Sequence, residues 1–163
     1  MHGSGAGRLL VVCTANLCRS PMAAALIAAR LGAESSGPQL TVTSAGVAAR
    51  PGQPAAELAV EALRRRGIDL SGHRSRGVSA DLLREADLVL VMEEAHRRSL
   101  FYEDPSVLPR VFLLTEMSGG HEEVADPWGG SGADYESCLA TLVDLVDRGW
   151  DAIIARAGGR DRE

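Results

Sequence analysis

Short apolar runs at residues 9–13, 40–43, 88–92 and 111–114 alternate along the chain with stretches whose apolar positions recur at helical spacing. A strand that is apolar at every position is buried on both faces, so the four runs predict a parallel sheet covered on both sides. The intervening stretches predict helices over 21–31, 54–66, 81–85, 93–100 and about 134–156. Ser20 stands where a cap belongs for the first, with Pro21 in its opening turn, where a missing N–H costs nothing. Gly67 stops the second. The last carries the clearest stripe: Tyr135, Cys138, Leu139, Leu142, Leu145, Val146 and Ile153 fall on one face. Strand and helix in alternation give an α/β fold. Loops are expected at 50–54, 71–76 and 118–132, and the last is long enough to suggest function rather than mere connection. Residues 8–157 read as one domain between a flexible segment, 1–7, and a polar tail, 158–163.

Composition narrows the function without changing this architecture. Of 163 residues, 45% are hydrophobic and 4% aromatic, so the core falls to Leu, Val, Ile and Ala. The net charge of -5 argues against a broad grip on nucleic acid or anionic lipid. All 17 basic residues are Arg. Without Lys, a Walker A loop, a Schiff base and a kinase phosphate clamp are excluded. Three cysteines do not make a secreted disulfide framework, and the start has no signal-peptide pattern, so a cytoplasmic protein is expected. The most apolar stretch, 22–29, is far too short to span a membrane. A monomer or weak dimer with no nucleic-acid or membrane partner is the resulting expectation.

The chemistry concentrates where the first strand ends. Cys13-Thr14-Ala15-Asn16-Leu17-Cys18-Arg19-Ser20 is a C-x5-R arrangement between a strand and a helix. Such a loop turns successive backbone N–H groups inward as a nest for a tetrahedral anion, and the helix N-terminus adds positive potential. Arg19 would grip two oxygens in a fork. The same groups favour the thiolate of Cys13, the form that attacks phosphorus. The position, at the carboxyl end of a parallel strand, is where open α/β sheets place ligands.

These residues resemble the low-molecular-weight protein tyrosine phosphatases. That family's signature, C-x-G-N-x-C-R-S-P, aligns with Cys13 to Pro21, and its D-P-aromatic motif with Asp126-Pro127-Trp128. Ser44-Ala45-Gly46, Gly72-His73-Arg74-Ser75-Arg76 and the stretch from Asp87 to Met92 also look like family segments. The resemblance implies a four-stranded parallel sheet with helices on both faces. It implies Cys13 as nucleophile, Arg19 as phosphate ligand and Asp126 as general acid. Asn16, Ser20, Ser44 and His73 become a hydrogen-bonding network behind the loop, with the Ser20 hydroxyl also on the thiolate. Position within the chain supports Asp126 independently. The other Asp-Pro pair, Asp104-Pro105, precedes the fourth strand and so lies at the amino edge of the sheet, whereas Asp126 follows it.

Two departures stand out. Ala15 replaces the family's usual Gly, which strains the loop if that position needs a positive φ and is harmless otherwise. The segment 47–51 has no aromatic, leaving Trp128 as the obvious pocket wall, with Arg50 available to an anionic group. The leading expectation is hydrolysis of protein phosphotyrosine through a phosphocysteine. The alternative is the same chemistry on a small phosphomonoester such as a metabolite, sugar or nucleotide. Arsenate reduction, or a non-catalytic anion-binding or redox-sensing module built on Cys13 and Cys18, ranks below both. Cys18 reads as a redox partner of Cys13, and Cys138 as a core residue. His96 and His121 carry no motif, His121-Glu122-Glu123 reads as a solvated loop rather than a metal site, and no cofactor is expected.

Overall fold

The computed structural model describes residues 7–34 and 39–158; the expected leader and tail otherwise lie outside them. In chain order the elements are β1 (Gly7–Cys13), α1 (Arg19–Ala33), β2 (Leu40–Gly46), α2 (Glu57–Arg64), α3 (Ala80–Glu85), β3 (Leu88–Val91), α4 (Glu94–Glu103), β4 (Val111–Leu113) and α5 (Gly132–Ala157). Tight 3₁₀ segments, Pro105–Arg110 and Leu114–Ser118, flank β4. The four strands form one parallel sheet in the order β2-β1-β3-β4. The chain therefore winds to one side of β1 and then crosses to the other, so β1 and β3 bracket the point where the winding reverses. Crevices for ligands open at the carboxyl ends of such a pair.

Period-two alternation along the strands builds a separate core on each face. Leu9, Val11 and Cys13 of β1 and Leu88 and Leu90 of β3 pack with Met22 and Ile27 of α1, Leu63 of α2, and Leu139, Leu142 and Ile153 of α5. Leu10 and Val12, with Val89, Val91, Val111 and Leu113, pack against Leu83 of α3, Leu100 of α4 and Val107. Full burial of each such branched side chain contributes roughly 1.5–3 kcal/mol. The expected two-sided sheet is thus observed, with α1, α2 and α5 on one face and α3 and α4 on the other. No helix among the described residues is long and apolar enough to cross a membrane.

The elements differ from expectation mainly at their ends. Gly7 opens β1 instead of closing a flexible leader, paired with Leu40 and buried so tightly that a Cβ there would overlap the Ala157 carbonyl oxygen. Ser20 is not the cap of α1: the helix starts at Arg19 behind Cys18, which makes no side-chain cap, and the Ser20 hydroxyl is engaged elsewhere. The second helix is shorter than 54–66: residues 54–56 stay outside it, the Ala56 amide donates to the Leu17 carbonyl and braces the anion loop, and the chain turns at 65–67. Glu93, expected within the fourth helix, is its N-cap.

Candidate active site

The loop between β1 and α1 is shaped by what holds its carbonyls. The Cys13 and Thr14 carbonyls accept from the amides of Val47 and Ala48, the Asn16 carbonyl from His73 Nε2 at 2.8 Å, and the Leu17 carbonyl from the Ala56 amide. All four bonds pull outward, toward the surrounding protein. In a trans peptide the N–H points opposite to the C=O, so the amides of Thr14, Ala15, Leu17 and Cys18 turn to the inside of the loop. None of the amides of residues 14–18 has an acceptor among the described residues. This is an anion nest made by its scaffold. Gly46 is part of that scaffold: a Cβ on it would lie 2.5 Å from the Thr14 carbonyl oxygen, so the strand can approach the loop only as glycine.

Asn16 supplies the turn. It alone among the described non-glycine residues has a positive φ, 61°, a region in which Asn is tolerated better than most. Its buried amide Nδ2 donates to Ser20 Oγ and Ser44 Oγ, each at 2.9 Å, and its Oδ1 accepts from the Arg76 amide at 3.0 Å. Asn16, Ser20, Ser44 and His73 are therefore one network, in which His73 Nε2 donates to the Asn16 carbonyl and burial lowers the His73 pKa. The Ser20 hydroxyl, already accepting from Asn16, stands 3.0 Å from Cys13 Sγ. Ala15 does not adopt a positive φ, so its replacement of Gly carries no strain.

Arg19 is 1% exposed. Its Nη1 donates to Glu93 Oε2 at 2.5 Å and to the Val124 carbonyl at 2.7 Å. Its Nη2 lies 3.4 Å from Thr14 Oγ1 and 3.5 Å from Asp126 Oδ2, and its buried Nε has no partner. With Nη1 fully committed, the Nε–Nη2 edge remains for a pair of anion oxygens, the geometry in which Arg recognises phosphate best. The Val124 amide donates to the Met92 carbonyl at the end of β3, which docks the 119–131 loop over the site and brings Asp126 there. Asp126 Oδ1 accepts from the Trp128 amide, leaving Oδ2 toward Arg19.

The outer residues are less gathered. Trp128, 62% exposed, lines a cleft of about 640 Å³ between residues 123–130 and α5, with Ser137, Cys138 and Thr141 on its far side. This cleft is lined by none of residues 13–19, and Arg50, expected as a wall beside Trp128, lies outside it, exposed on the loop after β2, its carbonyl bonded by the Ser75 hydroxyl. Leu17 packs against the larger core. Cys18 Sγ lies 3.4 Å from the Tyr135 hydroxyl, and burial pushes its thiol up to about 11. Cys138 is buried in the core as expected. No group of residues suited to a metal ion occurs among the described residues.

Sequence reading missed Glu93 and His96. The His96 ring, 2% exposed, reaches Thr14 Oγ1 through Nε2 at 2.9 Å. Their signal was positional rather than compositional: they follow the apolar run of β3 directly, three residues apart, at the strand beside β1 where the winding reverses.

Residues 8–155 match the family described as low molecular weight phosphotyrosine protein phosphatase. Over 148 residues the chain is 39% identical to a probable low molecular weight protein-tyrosine-phosphatase, EpsP, of Ralstonia solanacearum, covering 91% of this chain and 94% of that protein. It is 40% identical over 139 residues to the protein-arginine-phosphatase of Bacillus subtilis, covering 85% and 91%. The structure of a low molecular weight protein tyrosine phosphatase from T. tengcongensis superposes with a TM-score of 0.85 at 38% identity, covering 90% of this chain and 99% of that one.

Proposed function

The chain belongs to the low molecular weight phosphotyrosine protein phosphatase family, a family of cysteine-dependent hydrolases, and from that premise we propose that it hydrolyses protein phosphotyrosine through a phosphocysteine at Cys13. The observation that carries the reading is the set of inward-turned amides around Cys13 Sγ, with the free edge of Arg19 beside it and Asp126 at the mouth. The amides and Arg19 bind the phosphoryl oxygens and stabilise the charge that builds on them in the transition state. The Cys13 thiolate attacks phosphorus, the P–O bond to tyrosine breaks, and Asp126 gives its proton to the leaving phenolate oxygen. Asp126, now a carboxylate, takes a proton from water as that water attacks the phosphocysteine, which releases inorganic phosphate and restores the thiolate. Ser20 donates to the sulfur and stabilises it as leaving group in this second step.

Hydrolysis of p-nitrophenyl phosphate by wild type, Cys13→Ser and Asp126→Ala tests the reading. Wild type is expected to turn over, Cys13→Ser to be inactive, and Asp126→Ala to lose about 10²- to 10⁴-fold in kcat. An inactive wild type, or a Cys13→Ser variant that retains activity, overturns it.

A second reading, protein phosphoarginine as substrate, draws on the 40% identical relative of that activity. Comparing kcat/KM on matched phosphotyrosine and phosphoarginine peptides, with sugar and nucleotide monophosphates as a third arm, separates the substrates. A preference for the small phosphomonoesters removes both protein readings.

A further inference from the structure

His96 is buried against the anion loop, and every polar atom of its ring is committed. Nδ1 lies 3.1 Å from the Glu93 amide and 3.4 Å from the Met92 amide. Both are donors, so Nδ1 accepts and carries no proton. The ring proton is on Nε2, and it is donated to Thr14 Oγ1 at 2.9 Å. The neighbouring carboxylate, Glu93 Oε2, is 3.8 Å from Nε2, too far for a hydrogen bond, and is taken by Arg19. Burial, seconded by the positive charge of Arg19, lowers the His96 pKa to about 4, so this tautomer persists across the neutral range.

Thr14 is the residue after Cys13. Its hydroxyl oxygen accepts from His96 and stands 3.4 Å from Arg19 Nη2, another obligatory donor. Both lone pairs are then occupied, and the hydroxyl proton has no acceptor among the described protein groups. Thr14 Oγ1 and Asp126 Oδ2 lie within 3.5 Å of the same guanidinium nitrogen, which places this hydroxyl on the side of the loop where leaving group and water pass.

We propose that His96 is a positioning residue for Thr14: by filling a lone pair of the hydroxyl, it commits the Thr14 proton to a phosphoryl oxygen held at the mouth of the loop. The inference rests on the phosphatase reading above. Thr14 is then a catalytic donor beside Arg19, and His96 acts only through it. Both partners stay in one protonation state throughout, since the device orients a proton without transferring it.

A double-mutant cycle on p-nitrophenyl phosphate hydrolysis tests this, with Thr14→Val removing the hydroxyl at constant shape and His96→Gln and His96→Phe changing the ring. Thr14→Val is expected to lower kcat/KM roughly tenfold, the worth of a hydrogen bond to a charged group, and to weaken competitive inhibition by inorganic phosphate. Thr14→Ser should restore most of the loss. His96→Phe should lower kcat/KM by a similar factor in the wild-type background and by less than twofold in Thr14→Val, with His96→Gln, which keeps an amide donor, falling between. An undiminished effect of His96→Phe in the Thr14→Val background, or wild-type kcat/KM in Thr14→Val, overturns the proposal. Urea denaturation of each variant separates a folding loss from a kinetic one. The Cys13→Ser control is independent of both side chains, so a failed cycle in an enzyme that still needs Cys13 defeats this inference and leaves the phosphatase reading intact.

Discussion

Asp104-Pro105 and Asp126-Pro127 fold into the same local device: in each, Oδ1 accepts at 3.1 Å from the amide two residues on, Ser106 in one and Trp128 in the other. Beyond that turn they part. Asp104 closes α4 and caps the 3₁₀ segment after it, its Oδ1 also taking the Ser106 hydroxyl, at the end of the sheet where Arg110 ties that segment to the Ala86 carbonyl before β3. Asp126 leaves Oδ2 facing Arg19 at the opposite end. The same dipeptide with the same amide bond thus takes a different role at each end of a parallel strand. At the amino end Asp104 is spent on its own turn and cap, whereas at the carboxyl end Asp126 faces a buried side chain from a distant part of the chain.

The sharpest way to break this contrast is to make the same change in both turns. Asn keeps the turn and removes the acid. Asp126→Asn is expected to cut kcat on an aryl phosphate by about 10² to 10⁴-fold, and Asp104→Asn to leave it within twofold. Equal losses in the two variants would mean that topology does not decide the role. At the carboxyl end, Asn16→Ala strands the Arg76 amide and the Ser44 hydroxyl and places Ala at a positive φ; a loss of about 3 kcal/mol is expected by urea denaturation. Asn16→Gly, which suits the backbone, should recover roughly 1 kcal/mol of it.

The two ends should also respond differently to acid. His96 has a folded pKa of about 4 against an ordinary 6.5, so the unfolded chain binds the extra proton first and stability falls as pH drops from 6.5 toward 4. The urea midpoint of wild type should decline over that window more steeply than that of His96→Gln. Asp104 has its pKa lowered by the bonds from Ser106, so its contribution is present above the ordinary 3.8 and disappears as pH falls through the lower folded value. Asp104→Asn and wild type should therefore converge in urea midpoint below that pH. Smallest of all, Ala15→Gly should bring no gain in kcat, since no positive φ is there to relieve.

Much of the carboxyl end was legible in the chain because its parts are contiguous. Cys13 and Arg19 share a loop, and the order of strand, loop and helix fixes where that loop lies. Asp126 was legible because a crossover rule assigns it to one edge. What could not be read is what depends on a neighbour far along the chain. Ser20 looks like a cap by local pattern alone, and only the family resemblance pointed to its contact with Cys13, which the structure makes through the turn at Asn16. Glu93 and His96 acquire their roles because β3 lies next to β1, and nothing in a segment of two glutamates, an alanine and a histidine announces that. The late start of α2 has the same origin: residues 54–56 are helix-compatible locally, and the Ala56 amide instead donates to Leu17.

Gly7 can be seen in the same light. It is glycine for its volume and not for its backbone angles, since no positive φ is recorded for it and the carbonyl of Ala157 occupies the place of a side chain. The clearance between the first strand and the last helix is one hydrogen atom wide, and any bulkier residue must wedge the two apart. The narrowest tolerance among the described glycines therefore sits at the start of β1, seven residues from the loop that the same strand delivers.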